Sequence, residues 1–467
     1  MTLRIPPGTP VLTAQAMRDA EQACFDKGVA QGELMERAGA AVAQAALRFA
    51  MDRSILVLAG PGNNGGDAYV AARLLAERGH DVTVAALGGK RDGAAEEMRQ
   101  RWTGNTVPLE QAEPRAVLID GLFGTGMSRP IEGAVKAALH RLVAAAQFSL
   151  AIDLPSGLDT DSGGDMGAAR VDVTVALGSL KPAHLLGYGL ERCGHVLLAD
   201  IGIPISPEVV KLARPRLTPP APDAHKYSRG MVVVVEGEMP GASRLAARAA
   251  LHGGAGYVLL AGTGSADAGP DALVHARVDD AKALHDLLDD ARVGAVVIGP
   301  GLGRSEAARA KLEAVLAAPH PTVFDGDALT LLGEGATQCF AKRDAVSILT
   351  PHAGEFARMF GKNGRGKIER TRDAAADCGA VIVHKGPDTV IGGLTQLTVA
   401  NAGTAWLSTA GTGDILAGLV GARLAVEGRC GVCHAVWLHG RAAELAGAAF
   451  AADRLIRHIP QAIEECL

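Results

Sequence analysis

The sequence predicts two α/β domains, each built on a largely parallel sheet, the first with helices on both faces. Three observations carry this prediction. Short β-branched runs alternate with longer amphipathic ones, a proline-rich stretch interrupts the alternation once, and the apolar mass is mostly Ala, Val and Leu. At 467 residues the chain has length for two or three domains at roughly 150 residues each. Hydrophobic residues make up 48% and aromatics only 3%, a balance that suits helices packed closely on buried sheets. With 59 Gly and 23 Pro the chain falls short of the roughly 25–30% that marks low complexity.

Taken in order, Ile55 to Ala59, Val82 to Leu87, Ala116 to Asp120, Leu150 to Asp153 and Val171 to Leu177 read as strands. Ala68 to Arg78 and Gly133 to Ala146 read as crossover helices. Between residues 214 and 223, Pro215, Pro219, Pro220 and Pro222 suppress both helix and central strand. That stretch reads as a linker between a first domain, 1–213, and a second, 224–467. Beyond it the alternation restarts with Met231 to Val235, Tyr257 to Ala261, Ala295 to Ile298, Thr322 to Phe324, Ala345 to Leu349 and Ala380 to His384, followed by a helical end from Ile415.

Charge and cysteine usage exclude several function classes. Lys plus Arg is 46 against 51 Asp plus Glu, a formal charge of -5, so the basic excess that drives nucleic-acid binding is lacking. No apolar run approaches the roughly 20 residues that span a bilayer. The start, Met1 to Pro7, shows neither an apolar core nor a cleavage site. A cytoplasmic protein with no membrane partner is expected. Seven scattered cysteines fit reduced thiols rather than a disulfide framework. Cys430-Gly431-Val432-Cys433-His434 matches a haem-attachment pattern literally. Without an export signal or a second C-x-x-C, the pair reads as buried thiols.

Strand Ile55 to Ala59 runs into Gly60-Pro61-Gly62-Asn63-Asn64-Gly65-Gly66-Asp67 and then a helix, a turn that lets backbone N–H groups approach an anion. The glycines also fit G-x-G-x-x-G, but no acid follows Val82 to Leu87 where a ribose would need one. An NAD-dependent dehydrogenase is therefore disfavoured. Two more strands end in carboxylates, Asp120 and Asp153. In open parallel sheets ligands bind outside the strand carboxyl ends, so these acids and the Asn-rich turn converge on one crevice. Asn64, Asp120 and Ser156 offer only oxygen ligands, which suit a hard cation and not zinc. Asp153 is left for proton transfer.

Leu34-Met35-Glu36-Arg37-Ala38-Gly39, the turn from Gly60 to Asp67, Leu122-Phe123-Gly124-Thr125-Gly126-Met127-Ser128-Arg129-Pro130 and Asp153-Leu154-Pro155-Ser156-Gly157-Leu158-Asp159 together resemble the NAD(P)H-hydrate epimerase family. The resemblance implies a Rossmann-like domain with K+ at Asn64, Asp120 and Ser156. It implies substrate contacts from Asn63, Asn64, Gly65, Gly66, Asp67 and Asp153, and from Gly124, Thr125, Gly126, Met127, Ser128, Arg129 and Pro130. Asp153 becomes the acid/base residue that interconverts the two C6 epimers of hydrated NADH or NADPH.

In the second domain, Val297 to Gly303 is a strand opening into a glycine turn, and Ile348 to Glu355 places His352 just past another strand. Ala410-Gly411-Thr412-Gly413-Asp414 sets a carboxylate on the first turn of a helix. The exposed N–H groups stabilise the charge on a transferred phosphoryl group, and the Asp takes a hydroxyl proton. With Val383-His384-Lys385-Gly386-Pro387-Asp388-Thr389, this ordered set resembles the ribokinase-like ADP-dependent NAD(P)H-hydrate dehydratase family. By that resemblance Lys385, Gly386, Pro387, Asp388, Thr389 and Gly413 contact ADP with its Mg2+. Ala242, Gly301, Gly303, His352 and Asp414 face the hydrate, with Asp414 the base that activates its C6 hydroxyl, and a homo-oligomer is implied. Two departures stand out: Ala410 replaces a glycine of the family pattern, and Glu236 and Glu238 follow the first strand of the domain. A kinase of a small alcohol or vitamin precursor with a nucleotide-sensing first domain is the alternative, and a non-catalytic nucleotide-binding module the third reading.

Overall fold

The computed structural model describes residues 5–6, 8–51, 53–89, 92–264, 270–362, 364–401 and 403–467. Most of the start expected to carry no leader, residues 1–4 and 7, lies outside them. The chain divides into two compact units, residues 1–211 and 212–467.

The first unit holds Ile55–Ala59 (β1), Val82–Ala86 (β2), Asn105–Pro108 (β3), Val117–Gly121 (β4), Phe148–Ile152 (β5), Val173–Leu177 (β6) and His195–Ala199 (β7). They form one sheet in the order β3-β2-β1-β4-β5-β6-β7, parallel throughout. Val209–Lys211 (β8) ends the unit, with Val210 bridged to Pro10. Alternation along β1 shows why every residue of the strand is apolar. Ile55, Val57 and Ala59 face the core under helices Gln31–Ala50 and Asn63–Glu77, while Leu56 and Leu58 face the one under Gly133–Ala145. Each fully buried Leu or Val side chain contributes about 1.5–3 kcal/mol.

The second unit holds Met231–Val235 (β9), Tyr257–Gly262 (β10), Val274–Arg277 (β11), Val293–Ile298 (β12), Thr322–Phe324 (β13), Ser347–Leu349 (β14), Val381–His384 (β15), Asp388–Gly392 (β16) and Leu397–Asn401 (β17). Within the unit they run β11-β10-β9-β12-β13-β14-β15-β16-β17. Pairing is parallel as far as β15 and antiparallel across β15, β16 and β17. Both faces are again covered: Val232 and Val234 belong to one core, Met231, Val233 and Val235 to the other. Residues 214–223 carry no regular structure, and Leu217 is buried in the core of this unit, its N–H donated to the Cys466 carbonyl.

Several element boundaries differ from the expected ones for physical reasons. The helix expected from Ala68 begins at Asn63, so the Gly-rich turn is itself the first helical turn. Packing overrides the poor helix propensity of Gly65 and Gly66. β5 stops at Ile152, because Asp153 takes a left-handed conformation at φ 62°. The last helices begin at Thr412 rather than Ile415, after Gly411 at φ 93°. Cys430 is exposed and Cys433 only half-buried, so neither is the buried thiol expected, and none of the seven cysteines is paired. Among the described residues no helix is long and apolar enough to cross a membrane.

Two candidate active sites at the sheet switch points

In the first sheet the strand order reverses between β1 and β4, and their carboxyl ends border a cavity of about 650 Å³. Asn63, Asn64, Asp67, Gly124 to Pro130 and Asp153 line it. Gly65 and Gly66 do not. A Cβ on Gly65 would lie 2.0 Å from the Gly60 carbonyl oxygen, and one on Gly66 would lie 2.3 Å from the Met35 sulfur. These two glycines let the helix lie down on its strand and on the preceding helix.

Asp120 and Ser156, both buried and outside the cavity lining, sit side by side. Asp120 Oδ1 accepts the Ser156 hydroxyl at 2.7 Å and Oδ2 accepts the Ser156 N–H at 2.8 Å. The Phe123 N–H donates to Ser156 Oγ at 2.9 Å. Burial pushes the Asp120 carboxyl up, against the Ser156 hydrogen bonds. Asn64 Nδ2 is buried with no partner. Turning that amide over replaces the orphaned donor with a carbonyl oxygen. Carboxylate, hydroxyl and amide oxygen then form a donor set that fits a hard cation.

Asp153 lines the cavity just beyond β5. Its Oδ1 accepts the Leu177 N–H at 3.0 Å and the Lys181 ammonium at 2.5 Å. Lys181 is wholly buried and also donates to the carbonyls of Leu177 and Ser179, at 2.7 and 3.3 Å. His184 accepts the Lys181 N–H on Nδ1 and donates from Nε2 to the Asp153 carbonyl at 2.7 Å. Burial lowers His184 to about 4, so this ring is neutral and serves as a clamp. Asp67 is pushed well above the carboxylate range by burial, with Asp153 and Glu21 adding like charge. Glu21, on helix Ala14–Phe25, is raised for the same first reason. Sequence reasoning missed Lys181 and Glu21. Lys181 lies four residues past the end of β6, too far for the strand-end rule that found Asp153.

In the second unit the order reverses between β9 and β12. Asp414 stands in the first turn of helix Thr412–Glu427. Burial raises its carboxyl to about 6, Asp325 and Asp327 add repulsion, and Lys385 opposes them. Lys385 Nζ donates to Asp325 Oδ1 at 2.6 Å, which also accepts the Thr350 hydroxyl at 2.6 Å. A Cβ on Gly413 would lie 3.5 Å from Lys385 Nζ, so Lys385, Gly413, Asp414 and Asp325 form one group. The Gly303 N–H donates to Asp327 at 3.1 Å, and Gly301 packs within 3.0 Å of the Ala242 methyl, measured from an added Cβ.

Other expected contacts are already engaged. His352 accepts the N–H groups of Gly354 and Glu355 and caps helix Ala353–Phe360. Asp388 pairs with Lys367 at 2.6 Å, and the Thr389 hydroxyl closes onto the Gly386 carbonyl at 2.9 Å, shaping the turn that contains Pro387. Glu236 is buried, accepts the Gly264 N–H at 2.6 Å and lies 3.9 Å from Arg244 Nε. Asp325 and Asp327 were missed, although Asp325 directly follows Thr322–Phe324 as Asp153 directly follows β5.

Comparison with known proteins adds a family to each unit. A model described as NAD(P)H-hydrate dehydratase matches residues 232–465, and one described as YjeF-related protein N-terminus matches residues 31–183. The chain is 36% identical over 444 residues to the bifunctional NAD(P)H-hydrate repair enzyme Nnr of Coxiella burnetii, covering 88% of each protein. It is 33% identical over 492 residues to the protein of that name from Thermanaerovibrio acidaminovorans, covering 94% of each. A solved structure of ADP/ATP-dependent NAD(P)H-hydrate dehydratase from Bacillus subtilis is 27% identical, with a TM-score of 0.47, and covers 54% of this chain and 95% of that one.

Proposed function

The chain belongs to the bifunctional NAD(P)H-hydrate repair family, and from that membership we propose that it returns hydrated NADH and NADPH to the intact coenzymes in two steps. Residues 1–213 epimerise the C6 hydroxyl, and residues 224–467 dehydrate the S form with ADP, giving AMP and phosphate. The observation that carries this reading is a carboxyl group beyond the strand ends of each sheet: Asp153 lining the first cavity, and Asp414 raised to about 6 in the first turn of a helix.

In the first step Asn63, Asn64, Asp67 and the loop Gly124 to Pro130 hold the hydrated ring over Asp153, which exchanges protons with it. Gly65 and Gly66 contribute indirectly, by letting that helix start pack closely against Gly60 and Met35. Asn64, Asp120 and Ser156 would hold K+, which would supply fixed positive charge to the site. In the second step Ala242, Gly301, Gly303 and His352 border the hydrate. Asp414 takes the C6 hydroxyl proton as the oxygen attacks the donor phosphorus. Lys385 and the N–H groups at Gly413 offset charge on the phosphoryl group, and Gly386, Pro387, Asp388 and Thr389 border the nucleotide. Mg2+ arrives with the nucleotide and spreads the charge of its phosphates. Loss of phosphate from C6 with a proton from C5 then restores the double bond.

The test is absorbance at 340 nm with an R/S mixture of hydrated NADH, the full chain, Mg2+ and either ADP or ATP, with and without K+. Full recovery of NADH with ADP is expected, slower without K+. Recovery with ATP alone refutes the donor, and arrest at the S fraction refutes the first step. No recovery with either nucleotide favours a kinase of another small alcohol. We place the reaction in the cytoplasm, in keeping with seven unpaired thiols, and expect a homo-oligomer, which sedimentation at 47.8 kDa would refute.

A further inference from the structure

Two buried carboxyl groups line the first cavity, and the chain treats them differently. Asp153 is given a cation of its own. The Lys181 ammonium, shut off from solvent, donates to Asp153 Oδ1 and to two main-chain carbonyls, so its three protons are all committed. Oδ1 already receives two donors, Leu177 N–H and Lys181, which leaves Oδ2 as the oxygen that can take a proton. Asp67 lines the same cavity and is 8% exposed. Among the described residues no cation forms an ion pair with it; burial, then the like charges of Asp153 and Glu21, raise its carboxyl, and Lys181, bonded to Asp153, only partly opposes them. A buried carboxyl without a counter-ion keeps its proton.

We propose that epimerisation is run by two carboxyl groups with opposite tasks, Asp153 as the base, held in place by Lys181 as its positioning residue, and Asp67 as the acid. The assignment rests on the proposed epimerase reading of this cavity. The substrate is a cyclic carbinolamine, with the C6 hydroxyl on a carbon bonded to ring nitrogen N1. Asp153 Oδ2 takes the proton of that hydroxyl and the C6–O bond becomes a carbonyl. The C6–N1 bond breaks with its electron pair going to N1, where Asp67 delivers its proton. The product is an open-chain aldehyde with an N–H. Rotation about C5–C6 presents the other face of the aldehyde, and reversal of the proton transfers closes the ring as the other epimer. Both carboxyl groups end as they began, and no co-reactant is consumed.

The charged groups around the pair come from four directions. Arg18 and Glu21 lie on the first helix, Asp67 on the helix after β1, Arg129 and Glu132 on the loop after β4, and Lys181 with neutral His184 beyond β6. Of these, only Lys181 is bonded to the Asp153 carboxylate.

The experiment follows conversion of the R to the S hydrate by the full chain against pH, with dehydration of pure S hydrate as an internal control for folding. The wild-type kcat/KM for epimerisation should be bell-shaped, falling on the alkaline side as Asp67 loses its proton. Asp67→Asn should lose about 100-fold or more in kcat with KM changed little. Lys181→Met should lower kcat by about 10- to 100-fold with KM changed little, and Lys181→Arg should recover most of the loss. A wild-type profile flat to high pH, an Asp67→Asn rate within twofold of wild type, or an unchanged kcat in Lys181→Met overturns the assignment. Where Lys181→Met fails to fold, the wild-type alkaline limb and Asp67→Asn still decide. A wild-type chain that does not epimerise refutes the underlying reading instead.

Discussion

The two units solve one problem by opposite electrostatic routes. Each places a carboxyl group beyond the strand carboxyl ends of a largely parallel sheet, Asp153 after β5 and Asp414 beside Asp325 and Lys385, which follow β13 and β15. In the first, Asp153 is bonded to a buried ammonium, and Asp67 on the same cavity is raised by burial first and by the like charges of Asp153 and Glu21 second. In the second, the cation Lys385 is bonded not to Asp414 but to Asp325, and Asp414 is left with burial and two acids that raise it to about 6. Shared topology therefore fixes where the acid stands and not what protonation state it works in. That state depends on which neighbour receives the lysine.

The comparison breaks most severely if the two carboxyl groups are not independent. Asp414→Asn should lower dehydration of the S hydrate by about 100- to 10,000-fold and leave epimerisation unchanged, and Asp153→Asn should do the reverse. Loss of both activities in either variant means that the sites are coupled. A smaller effect sharpens the contrast in charge. Asp414 acts as a base and must be ionised, so with its carboxyl at about 6 dehydration should fall about tenfold per pH unit below that value and level off above it. Asp325→Asn removes the larger repulsion and should shift that limb to lower pH, measured as kcat/KM for the S hydrate. The smallest effect concerns stability. A methyl on Gly65 meets the Gly60 carbonyl at 2.0 Å and one on Gly418 meets the Ala246 carbonyl at 1.9 Å. Each Ala substitution should cost about 1–3 kcal/mol. Heating should inactivate the epimerase first in Gly65→Ala and the dehydratase first in Gly418→Ala.

Much of this arrangement could be read from the sequence, because buried parallel strands announce themselves as continuous apolar runs. β1, β9 and β13 fall on the expected residues, and the acids near the end of β4 and just beyond β5 were visible as polar ends to apolar strands. What escaped depends on contacts between distant segments. Lys181 reads as an isolated cation in Ser179-Leu180-Lys181-Pro182, and its role arises only when β6 lies beside β5. The hairpin of β16 and β17 was lost because Gly392 and Gly393 weaken the strand signal at its turn. His352 stood out as a histidine past a strand, yet its Nδ1 is occupied by its own helix. Side chains of that kind serve local geometry, and spacing alone does not separate them from side chains aimed at a ligand.

The left-handed backbone of Asp153 has a bearing on how this chain can change. At φ 62° a side-chain-bearing residue sits where glycine rests most easily, and such conformations cost of order 1–3 kcal/mol. Glycine at this position would relieve the backbone and leave Lys181 without its anion, exchanging one defect for another. Position 153 and position 181 are thus free to drift only together, and a lineage that no longer needed the reaction would be expected to lose both charges in close succession.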